Sequence, residues 1–138
     1  MTSHRPFELE PRTLARLEQS GQEFLAEFFS REAARHPENL DALAELAHVL
    51  TRLGRLEEGL AVDEELARLA PENPTVHYNL ACSLALLGEP DRALEALDRA
   101  VGLGYDDLPH LLDDPDLVSL RKEPRFRELV TRLEKTES

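Results

Sequence analysis

Two stretches of this chain read almost as copies of one another: LAHVLTRLGRLEEGLAVDEELARLAPENP, Leu46 to Pro74, and LACSLALLGEPDRALEALDRAVGLG, Leu80 to Gly104. Leu46-Ala47, Leu50, Gly54, Leu60 and Leu69 return as Leu80-Ala81, Leu84, Gly88, Leu94 and Leu103, each displaced by 34 residues. Leu40, Leu43, Leu46, Ala47, Leu50 and Leu53 fall on one face of a helix, and Gly54 supplies the left-handed residue that ends it. A second helix, from about Leu56 to Leu69, stops at APENP, where Pro71 and Pro74 cannot continue it. The pair makes an antiparallel hairpin. One such hairpin cannot bury both its faces, so a repeat of this length predicts stacked units. The alternation of half-buried strands is almost absent throughout, and the expected class is all-α.

With Leu40 and Pro74 each taken as position one, the 34-residue grammar resembles the tetratricopeptide-repeat family. The first unit offers Leu43, Leu46-Ala47, Leu50, Gly59, Leu66 and Pro71 at that family's characteristic positions; the second offers His77, Leu80-Ala81, Leu84, Ala93, Ala100 and Tyr105. Two positions depart from it: Asp63 stands where a large apolar residue is usual, and Leu66 replaces a small one. The resemblance implies a single domain over 1–138, built as a short right-handed α-solenoid. Its parts are a degenerate helical pair at 11–39, repeats at 40–73 and 74–107, and a capping segment at 108–138. The last, with its Asp-Pro-Asp-Leu, Leu-Arg and Pro-Arg-Phe pattern, is similar to closing segments of bacterial members. Asp114 and Pro115 form an expected helix start, as does Pro124, and Leu117, Leu120, Phe126, Leu129, Val130 and Leu133 are expected to cover the last hairpin.

Composition narrows the function. The 138 residues carry 28 acids against 16 bases, a net charge of -12 that repels nucleic acid and anionic membrane surfaces. The start, MTSHRPFELEP, lacks the apolar run of a signal peptide, and Leu80 to Leu87 is too short to span a bilayer. One cysteine cannot form an internal disulfide, which agrees with a reducing compartment, and the expected location is cytoplasmic.

No pattern of residues points to catalysis. His77 and Cys82 are five residues apart, about 500° of helix turn, which leaves them roughly 140° apart around the axis and unable to form a dyad. His48 and Cys82 share position nine of their units and so are expected on neighbouring helices facing one side. Two such ligands begin a zinc site without completing it, and further ligands would have to come from a residue such as Asp113 or His110. LPHLLDDPDL lacks calcium-loop spacing, and its aspartates read as helix caps. Glu57, Glu58, Asp63, Glu64 and Glu65 read as a solvated outer face. No metal, cofactor or catalytic residue is expected.

By the resemblance, Asp41, Ala44, Glu45, His48, Thr51 and Arg52 in one unit, and Thr75, Tyr78, Asn79, Cys82, Ala85 and Leu86 in the next, line a concave groove for a peptide or a partner helix. Tyr78 is then an apolar anchor and Asn79 a partner for a peptide amide; equally, Tyr78 and Leu86 pack on an adjacent helix. Asn79 matches one residue of the clamp by which some members hold chaperone carboxylate tails, but Ala44 and His48 stand where its basic groups belong, which argues against that ligand. The expected function is a non-catalytic adaptor for a protein or peptide, monomeric or weakly dimeric. The alternatives are a metal-dependent or thiol-using regulator centred on His48 and Cys82, and self-association through Phe7, Phe24, Phe28 or Tyr105.

Overall fold

A computed structural model describes residues 9–137. Among them seven α-helices follow one another: α1 Pro11–Arg35, α2 Leu40–Arg52, α3 Leu56–Leu69, α4 Pro74–Leu86, α5 Pro90–Gly102, α6 Leu108–Asp113 and α7 Pro124–Glu137, with a 3-10 helix at Pro115–Leu120 between the last two. No strand occurs among the described residues, and no helix there is long and apolar enough to cross a membrane.

Local chemistry sets most boundaries. Asn39, Asn73, Asp107 and Asp114 each turn a side-chain oxygen onto a free N–H of the helix they precede. Pro74, Pro90, Pro115 and Pro124 stand at first helical positions, where a missing N–H costs nothing. Helices α2, α4 and α5 end alike. Gly54, Gly88 and Gly104 adopt φ of 79°, 76° and 111°. The following N–H groups of Arg55, Glu89 and Tyr105 then bond back to the carbonyls of Leu50, Leu84 and Ala100 at 2.9, 3.0 and 2.9 Å. This is the double closure of a Schellman motif, which satisfies the last carbonyls and reverses the chain.

From α1 to α5, each helix packs on the next. The main core joins α4 and α5 to the C-terminal elements: Leu84, Leu94, Leu97, Leu111, Leu117 and Leu120 are the largest fully buried side chains. Phe126, Leu129 and Leu133 are buried with them, and Val130 packs partly buried against the cluster, as the spacing of the C-terminal segment predicts. A smaller cluster of Ala26, Leu46, Val49 and Leu50, with Phe29, Leu53 and Val62 against it, holds α1 to α2.

One segment differs from its sequence reading. Residues 11–39 do not form a helical pair: α1 runs unbroken for 25 residues, with Gly21 inside it. Gly21 is not among the glycines of positive φ. A lone glycine costs a helix about 1 kcal/mol, less than breaking a cooperative ladder flanked by good helix formers on both sides.

Candidate functional site

The geometry centres on Asp114, which is 7% exposed. One carboxylate oxygen caps the 3-10 helix by accepting from the Asp116 N–H at 3.0 Å. The other accepts from the Tyr78 hydroxyl at 2.7 Å and from the Cys82 thiol at 3.6 Å, with Nε2 of His110 at 3.5 Å. The Tyr78 ring stacks on Tyr105, centroids 4.3 Å apart and planes within 7°. The C-terminal elements are thus bound to α4 through a polar knot as well as through leucines.

Beside this knot lies a cavity of about 290 Å³ between α2 and α4. His48 and Cys82, expected to face one side, both line it, together with Tyr78, Asn79 and Leu86. His110, Asp114 and Asp116 close it from the C-terminal segment. Asp41, Glu45 and Thr75 are exposed and lie outside the lining, and Arg52 instead lines a crevice against α1. The 3-10 helix packs on α4 and so covers part of the face expected to line a groove. Tyr78 is 3% exposed and already engaged by Asp114 and Tyr105, so the anchor role gives way to internal packing. Leu86 keeps an exposed face. Phe7, one of the residues expected to self-associate, lies outside the described residues.

Cys82 is a poor nucleophile here. Burial first, then the charges of Asp114 and Asp116, push its thiol well above the ordinary range and keep it protonated near neutral pH. His77 is no partner for it: the imidazole is buried and its Nε2–H donates to the Pro71 carbonyl at 2.7 Å, closing the turn before α4. Cys82, Asp114 and Asp116 do place three metal-competent donor atoms within 4.8 Å of one another. Asp114 and Asp116, not Asp113, supply the carboxylates. Sequence alone assigns Asp114 only its capping role, because a contact across 32 residues leaves no local pattern.

Asp63 corrects the reading of α3 as an evenly solvated helix. It is 4% exposed, accepts a hydrogen bond from the Ser83 hydroxyl, and burial raises its pKa to about 6. The spacing of Gly59, Asp63 and Leu66, all buried on one face, is the available signal. Leu97, 34 residues on, is fully buried and apolar. The sign of the linkage follows: between about pH 4 and pH 6 the native state holds this proton more tightly than the unfolded chain, so stability falls as pH rises through that window and the loss persists above it. Urea titrations of Asp63→Asn are expected to lack this downward step; an unchanged step would assign it to another group.

No protein-family model matches the chain. It is similar to a chloroplastic protein of Arabidopsis thaliana, with 34% identity over 86 residues that cover 60% of this chain and 26% of that protein. The chain therefore matches about a quarter of that relative's length.

Proposed function

We propose that this chain is a short tetratricopeptide-like array acting as a non-catalytic interaction module, which receives a peptide segment at the mouth of the cavity between α2 and α4. The carrying observation is that residues 34 apart, His48 and Cys82, line one cavity alongside Asn79 and Leu86. The identical turns after α2 and α4 support the same stacking. Exposed Asn79 suits a peptide amide, Leu86 an apolar side chain, and Asp116 a cationic one. Only part of the lining named from the family register takes part in this reading. The relative is named as chloroplastic; an aqueous reducing compartment, cytoplasmic or plastid, suits a chain with one buried thiol.

A photo-crosslinking residue at Asn79 or Leu86 is expected to give one discrete adduct in the native cell, weakened by His48→Ala. The same residue at Glu95, on the exposed side of α5, is expected to give none. Equal labelling at all three positions would remove the groove.

A second reading is favoured by the donor cluster. Cys82, Asp114 and Asp116, with His48 and His110 in the same cavity, offer sulfur, oxygen and nitrogen ligands that suit zinc better than calcium. Stoichiometric zinc in protein purified without added metal, lost in Cys82→Ala, would turn the module into a metal-dependent regulator.

A further inference from the structure

Helix α1 carries two apolar faces, and α2 covers one of them. Ala26 is buried and Phe29 packs partly buried in the small core; Ala26 lies about 150° and Phe29 about 90° around the helix from the middle of a second stripe. That stripe holds Leu14, Leu17, Phe24, Leu25 and Phe28, which are 45%, 55%, 67%, 36% and 49% exposed. Leu14, Leu17, Gly21, Phe24 and Phe28 follow steps of three and four, the spacing of a helix that packs along a second helix. Five large apolar side chains left open on one helix exceed the scattered exposure ordinary in a monomer.

We propose that this stripe is the contact of an isologous homodimer in which two α1 helices pack antiparallel. Two features of the helix select a second copy. The first is shape: an antiparallel register that sets Leu17 against Phe28 of the other copy also sets Phe24 against its Gly21, where an added Cβ would meet nothing within 4 Å. The bulkiest and most exposed side chain of the stripe thus faces its one gap, twice by symmetry. A crevice of about 900 Å³ lined by Gly21, Phe24, Leu25 and Leu53 runs beside the stripe and leaves room for the incoming helix.

The second feature is charge. Arg16 and Glu27 flank the stripe on the same side and are both exposed. Antiparallel pairing sets that flank against itself and brings Arg16 of each copy within a turn of Glu27 of the other, whereas parallel pairing leaves the two about three turns apart along the axis. Glu27 also lies 4.0 Å from Arg31 of its own helix, so the ion pair joins an existing exposed network. The stripe is about 21 Å long, short of a standard stable interface. The dimer is therefore a reversible one that forms with rising concentration.

Sedimentation equilibrium of the whole chain, from low to high micromolar concentration, is expected to show a reversible monomer–dimer equilibrium. Phe24→Glu should weaken it about tenfold or more with helicity unchanged by circular dichroism, while Val118→Glu, on an exposed apolar site elsewhere, leaves it intact. Arg16→Glu and Glu27→Arg should each weaken association, and the double exchange should restore it. A chain monomeric at every concentration, a dimer indifferent to Phe24→Glu, or a double exchange without rescue would each overturn the proposal. So would cross-links from Phe24 to residues 1–8 or to a different protein in place of a second copy.

Discussion

The Asp114→Ala variant is expected to lose about 3 kcal/mol of unfolding free energy, measured by urea titration of far-ultraviolet circular dichroism. Two losses combine. Removing the cap of the 3-10 helix costs about 1 kcal/mol. The Tyr78 hydroxyl, in a residue 3% exposed, loses its acceptor, which costs about 1–3 kcal/mol more. Asp114→Asn keeps one oxygen, which can still cap the Asp116 N–H, while its NH2 stands where the second oxygen was and donates to the Tyr78 hydroxyl oxygen instead of accepting from it. It also removes one negative charge from beside Asp116, whose own pKa is raised by burial and by Asp114. Its cost is expected at about 1–2 kcal/mol, below that of Asp114→Ala, because the cap survives and only the acceptor for Tyr78 is exchanged for a donor. An Asp114→Ala protein as stable as the parent would mean that the polar knot contributes nothing to docking the C-terminal segment.

Leu120→Ala is expected to cost about 3 kcal/mol, within the usual 2–5 kcal/mol for a buried leucine in a close-packed core. Leu120 is 0% exposed in a cluster that draws on α4, α5, α6, the 3-10 helix and α7, so no single neighbour can move in to fill the space. Val118, two residues away and 53% exposed, provides the control: Val118→Ala is expected to change stability by less than about 0.5 kcal/mol. Thermal unfolding of both variants separates packing from helix propensity, since alanine is the better helix former in each case. Equal effects would mean that the segment lies loosely on the hairpin.

The helices are legible wherever periodicity and punctuation agree. At Gly54 and Gly88 the apolar face ends where a left-handed residue is available, and both glycines adopt that conformation. The C-terminal starts at Pro115 and Pro124 follow from the same short-range rules. Gly21, 33 residues before Gly54 and so one short of the 34-residue spacing, would have to turn the chain for residues 11–39 to form two helices; it stays inside α1, because a glycine permits a turn without requiring one. Asp63 is legible in part: its departure from the apolar pattern stands out, but charge argues for solvent while its place on the Gly59 and Leu66 face argues for burial. Packing of α3 against both α2 and α4 decides for the interior, with Ser83 as its partner.

The sequence by itself determined the all-helical class and, from α2 onward, most of the places where helices begin and end, because each depends on contacts within a few residues; the recurrence of residue types every 34 positions is likewise read directly from it. Tertiary structure decided which equivalent residues remain open. It brought Asp114 and Asp116 to Cys82, buried Tyr78 beneath the chain's own C-terminal segment, and left a second apolar stripe of α1 uncovered. Those outcomes depend on how finished helices fit one another, and that fit is a property of surfaces assembled from residues far apart in the chain.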